Sequence, residues 1–233
     1  MNNFIISRLI SARYKSGMIL IGAVHVLVGC SLLAVDKVEP MSVYSLGQLA
    51  QVAEPDRRAH NQNGSSAPDA PTILLSMPRA AAGFETTQIA YVRQAFQLEY
   101  FGLSQWVAPP AVMLLPLIST ALERSGEFKA VLQSPSRASG QLRLDMEIIR
   151  LQQEFFKVPS QVHLTVRVHL IDSTNRQVIA WQEFDGMLAA TSEDPYGGVV
   201  AANQLVRLVA YEVADFCVKA YRQKVSRVAI GKK

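Results

Sequence analysis

The strictest constraint in the chain is an alternation. Leu142, Leu144, Met146 and Ile148 interleave with Arg143, Asp145 and Glu147, and Val162, Leu164, Val166, Val168 and Leu170 interleave with His163, Thr165, Arg167 and His169. Successive strand side chains point to opposite faces, so a period of two predicts strands with one buried and one wet face. Asp172-Ser173-Thr174-Asn175 supplies the turn into a third strand over 177–184, and the three together read as an antiparallel meander.

The period then changes. From about Tyr196 to Gln223 apolar residues recur at spacings of 3 and 4, through Val199, Ala202, Val206, Val209, Val213, Phe216 and Ala220, which predicts a long helix lying across the sheet. A second helix opens at Pro109-Pro110, where a missing N–H costs nothing, and carries the stripe Ala111, Leu115, Ile118 and Leu122 up to Gly126. Pro116 falls inside it and predicts a kink or a delayed start, because an internal proline costs on the order of 3 kcal/mol. Further strands are expected at 42–46, 72–77, 88–92, 97–101 and 128–132. The fold class is therefore α+β, a largely antiparallel sheet with two main helices on one side.

The N-terminus reads as a targeting segment. Arg8, Arg13 and Lys15 precede an apolar run from Met18 to Val28, and no acidic residue occurs before Asp36. The run closes on Leu27-Val28-Gly29-Cys30, a lipobox in which a small residue precedes a cysteine to be acylated. This gives a lipoprotein signal peptide over 1–29, a lipidated N-terminus and spacer over 30–41, a domain over 42–226 and a basic tail over 227–233. An uncleaved span extending through Val35 is the rival reading, and His25 and the glycines weaken it.

Charge argues against nucleic acid. The whole chain carries +4, but removing Arg8, Arg13 and Lys15 leaves 20 Lys and Arg against 19 Asp and Glu. What excess remains gathers at Arg222, Lys224, Arg227, Lys232 and Lys233, which read as a frayed, solvated end. Residues 51–71 are polar and rich in Pro, Asn, Ser and Gly, and read as a mobile loop. With Cys30 lipidated, Cys217 has no disulfide partner and falls on the apolar side of the closing helix as a small hydrophobe.

No catalytic, metal or cofactor set emerges. His163 and His169 share a strand face about 20 Å apart, too far for one ion, and read as two exposed histidines. His60 and His25 lie in the polar loop and the leader. Asp145 and Glu147 alternate with Arg143 as solvated cross-strand partners. Gly197-Gly198 lacks the lysine and spacing of a phosphate loop and reads as the entry to the closing helix. Trp106, before the proline pair, either anchors the strand-to-helix corner or meets a partner.

Several stretches resemble the ABC-type transport auxiliary lipoproteins, the PqiC-like family. They are Cys30-Ser31-Leu32-Leu33, Val43-Tyr44-Ser45-Leu46, Gln88-Ile89-Ala90-Tyr91, Leu98-Glu99-Tyr100-Phe101 and Gln105-Trp106-Val107-Ala108-Pro109-Pro110, with Arg124 to Val131 and Ala201-Ala202-Asn203. The resemblance implies a non-catalytic lipoprotein that serves an ABC-driven system moving lipid between membranes through MCE-domain proteins. Its implied partners are the MCE protein and the ABC subunits, with a ring-like homo-oligomer as a further option. Ser31, in place of the aspartate that retains lipoproteins at the inner membrane, implies the periplasmic face of the outer membrane. A lipid carrier with its own apolar pocket and an activator of a cell-wall synthase are the rival roles.

Overall fold

A computed structural model describes residues 40–47 and 70–230. In chain order the elements are β1 (Ser42–Tyr44), β2 (Thr72–Leu75), β3 (Arg79–Ala80), β4 (Gln88–Gln94), β5 (Gln97–Trp106), α1 (Pro110–Ser125), β6 (Ala130–Gln133), β7 (Leu142–Glu154), β8 (Gln161–Asp172), β9 (Gln177–Ala189) and α2 (Pro195–Ile230). The leader, Cys30 and most of the polar loop lie outside the described residues.

Strand β7 organises the sheet. Along one edge it pairs antiparallel with β8 from Leu142↔Asp172 to Glu154↔Gln161, and β8 pairs antiparallel with β9. Along its other edge β2, β3 and β4 follow one another in parallel, beside Leu142–Leu144, Glu147–Ile148 and Gln152–Glu154. Residues 72–94 thus run down β7 as one interrupted course. Beyond it β6 pairs parallel with β2, β5 antiparallel with β4, and β1 parallel with β5. The long ladders are antiparallel and make this an α+β sheet, of nine strands among the described residues, while the short pieces of chain that pair beside them are parallel.

One face of the sheet carries both helices. Leu144, Ile148, Val166, Val168 and Leu170 are at most 1% exposed and share one apolar core with Leu114, Ile118 and Leu122 of α1 and Val206, Val213 and Cys217 of α2. Burial of this area is what drives the domain to fold, since the described cysteine is free. The expected stripe Ala111, Leu115, Ile118 and Leu122 is buried throughout.

Two expectations need correction, the delayed start at Pro116 and the end of the closing helix at Gln223. Helix α1 begins at Pro110 and runs unbroken through Pro116 to the left-handed cap at Gly126 (φ 69°). Pro116 sits on the exposed face, where solvent can serve the Val112 carbonyl that loses its partner, so the helix needs no delayed start. Helix α2 passes Gln223 and continues to Ile230. Arg222 donates to Glu127 at 2.7 Å, and Lys224 is paired with Asp172, so these two residues are docked and not frayed, while Lys232 and Lys233 lie outside the described residues.

Candidate functional site

The faces of the sheet are set by one extra residue. A bulge between Ile148 and Arg150 shifts the β7 register, so even-numbered residues point to the core before it and odd-numbered ones after it. Leu151 and Gln153 are thereby buried on the helix side, while Arg150, Gln152 and Glu154 join His163 and Thr165 on the open face.

There they close around the histidine. His163 Nδ1 lies 3.0 Å from Glu154 Oε1 and its Nε2 lies 2.9 Å from Asp185 Oδ1. The Thr165 hydroxyl also donates to Asp185, and Arg150 reaches His163 Nδ1 at 2.8 Å. His163 is only 9% exposed, and His169 is half-buried and stacked on Trp181 with ring centroids 6.4 Å apart. The expectation of two exposed histidines is therefore wrong: β8 is flanked on both sides, so its odd-numbered side chains have neighbours to pack against. Hydrogen bonding from Thr165 first, and then from His163, holds the Asp185 carboxyl below its ordinary range.

The next rungs are also paired. Arg167 bridges Glu183 at 3.0 Å and Glu147 at 3.8 Å, and Asp145 accepts from Ser76 Oγ at 2.6 Å and from Arg143. Asp145 and Glu147 thus act as cross-strand and neighbour partners. Both nitrogens of His163 face carboxylates, so the rung locks three strands together and leaves the imidazole no serine to activate.

Trp106, the last residue of β5, is 3% exposed and packs in the core at the corner before α1. Its backbone N–H donates to the Thr87 carbonyl at 2.7 Å and that of Val107 to the Tyr44 carbonyl at 2.7 Å, which fixes the corner from both sides. Its indole is not displayed to a partner. At the start of α2, Asp194 accepts the Gly197 N–H at 2.7 Å, a bond that lowers its carboxyl pKa. A Cβ on Gly198 would collide with Gln153 of β7 and one on Gly197 with the Ser192 backbone, so the first glycine closes the turn before the helix and the second lets the helix start approach the sheet. Cys217 is fully buried, and burial pushes its thiol up to about 12, which removes it as a nucleophile. Cys30, the one lipidation candidate, lies outside the described residues.

Comparison with known proteins decides the family. Residues 51–214 match the model of the ABC-type transport auxiliary lipoprotein component. The chain belongs to this family. A solved structure of protein XCC0632 from Xanthomonas campestris is similar at 19% identity and a TM-score of 0.62, covering 69% of this chain and 93% of that one. A second, of an uncharacterized protein, is similar at 13% identity and a TM-score of 0.59, covering 76% of this chain and 98% of that one. Both likenesses concern the fold. No curated protein matches the chain.

Proposed function

We propose that this auxiliary lipoprotein is a non-catalytic adaptor of an ABC-driven, MCE-type lipid transport system, anchored through acylated Cys30 on the periplasmic face of the outer membrane. Residues 1–29 are the removed leader and 30–41 the tether. The match to the auxiliary lipoprotein family over 51–214 carries this reading.

The packing supports an adaptor over a carrier. Beside Trp106 the core holds a cavity of only about 10 Å³, far below the room an acyl chain needs. The larger groove, about 530 Å³ between β9 and α2, is open, and although Phe184 and Phe216 reach it, Gln182, Glu212, Asp215 and Lys219 line it as well. Neither encloses a lipid. The lipobox supplies the anchor, since several chains on one cysteine meet the two-signal requirement for stable membrane attachment.

Metabolic labelling with a fatty-acid analogue tests the anchor. Wild type should take up label and fractionate with the outer membrane, and Cys30→Ala should lose both. Retention of unlabelled Cys30→Ala in the membrane would favour an uncleaved span. Cross-linking in cells tests the partner, and capture of a peptidoglycan synthase without any MCE-domain protein would overturn the transport reading.

A further inference from the structure

Two hairpins close the same end of the sheet. The β4–β5 turn is Ala95-Phe96, between the paired Gln94 and Gln97, and the β7–β8 turn runs from Phe155 to Ser160. The Phe155 N–H donates to Val92 at 2.9 Å, so both turns project beyond one edge. Phe96 stands fully exposed at 108% and holds a left-handed backbone, φ 68°, a conformation that costs a bulky residue about 1–2 kcal/mol. Nothing in its own packing offsets that. On the neighbouring turn Val158 is 86% and Phe156 55% exposed.

The base beneath them is ordered. Tyr91, Phe101 and Phe155 form an aromatic cluster, with Tyr91 and Phe101 centroids 4.4 Å apart, and the Arg93 guanidinium lies 5.1 Å over Tyr91 and 5.7 Å over Phe155. Lys157 is exposed beside Phe156. The carboxylates at this end are engaged: Glu99 by the Tyr91 hydroxyl, Glu154 by the Gln152 amide and His163, Glu193 by the Ser160 N–H and Asp194 by the Gly197 N–H. The free chemistry of the two tips is therefore aromatic, aliphatic and cationic.

We propose that these two tips rest in the lipid surface to which the chain is tethered, with Phe96, Phe156 and Val158 in the acyl boundary and Arg93 and Lys157 at the headgroups. The proposal deepens the functional reading above and rests on its lipidated Cys30. Strand direction favours lipid as the occupant. β1 runs parallel to β5 with Ser42 beside Ser104, so the chain enters β1 from the side of the Phe96 turn. From Ser104 back to Gln97 is roughly 23 Å at the usual strand rise. The tether over 31–41 can reach about 36 Å, enough to put both tips at the bilayer. Three side chains on two turns also fall short of the roughly 800 Å² per partner of a stable protein interface, whereas interfacial insertion uses just such aromatic and cationic groups.

The test uses the full lipidated protein in phosphatidylethanolamine and phosphatidylglycerol vesicles. An environment-sensitive fluorophore is placed at Ala95→Cys, Lys157→Cys or Ser173→Cys, the last on the opposite hairpin; buried Cys217 stays unlabelled. Emission at 95 and 157 should shift to the blue and be lost with nitroxide-bearing lipids, while 173 stays water-like. Adding Phe96→Asn, which suits the left-handed turn, should weaken quenching at 95. Acylated protein that floats with vesicles yet shows water-like emission at 95 and 157 overturns the insertion alone. Missing acyl mass together with missing flotation overturns the anchor, and this inference with it.

Discussion

The two ends of the sheet are closed by turns of opposite construction. At one end the β8–β9 turn is wired: buried Asp172 accepts from the Thr174 N–H at 2.8 Å and its hydroxyl at 2.6 Å and pairs with Lys224, and Asn175 accepts from the Gln177 N–H at 3.0 Å. At the other end Phe96, Phe156 and Val158 stand out into solvent. Both turns contain a left-handed residue, Arg176 at φ 61° and Phe96 at φ 68°. Only the first surrounds it with bonds that repay the conformation. The difference separates a turn built to hold the fold from one whose side chains have another use.

The largest effect is expected at the wired end. Asp172→Ala removes the acceptor of Lys224 and Thr174 and should cost about 3 kcal/mol, read by urea unfolding. A loss below about 1 kcal/mol would erase the contrast between the two ends.

Acid should find the same residue. The bond from Lys224 first, and then that from Thr174, lower the Asp172 carboxyl from 3.8 to about 2. A carboxyl depressed in the folded state stabilises it fully above its unfolded value, and that contribution fades as pH falls through the folded one. Unfolding measured between pH 5 and pH 2 should therefore show stability dropping below about pH 4, and the drop should flatten in Asp172→Ala.

At the exposed end the sign reverses. Phe96→Asn places a residue that tolerates the left-handed region in the turn and should raise stability by about 1 kcal/mol. A destabilised variant would mean that Phe96 packs in the folded domain, and the comparison would fail there.

How much of this was legible in the sequence follows from which residues carry local rules. The alternations in β7 and β8 and the 3–4 stripe of α2 gave the meander and the closing helix, because burial on one face writes its period directly into the chain. The bulge after Ile148 left no such mark. It moves Arg150, Gln152 and Glu154 to the face of His163, so the histidine reads as exposed until the register with Asp185 is known. Glu154 and Arg150, nine and thirteen residues before His163, are its partners nearest in sequence. Lys224 and Arg222 are similar: their partners, Asp172 and Glu127, are 52 and 95 residues away, and a basic C-terminal stretch looks solvated without them. The Cys30 reading rests on a local sequence pattern alone and falls outside the described residues, so the fold neither adds to it nor takes from it.

The smallest effect sharpens the comparison most. Phe155 and Phe156 are consecutive, yet one is half-buried against Tyr91 and Phe101 and the other is 55% exposed. Phe156→Ser deletes no core contact and should change unfolding free energy by less than about 0.5 kcal/mol, the range of ordinary surface substitutions. Phe155→Ser, by contrast, removes an edge-on partner from the aromatic cluster and should cost about 2 kcal/mol, as loss of a part-buried aromatic does. The pair thus measures where the folded domain ends and its displayed surface begins. Equal losses from both would place Phe156 among the residues that hold the sheet, and a phenylalanine needed for folding would no longer require a membrane to explain it.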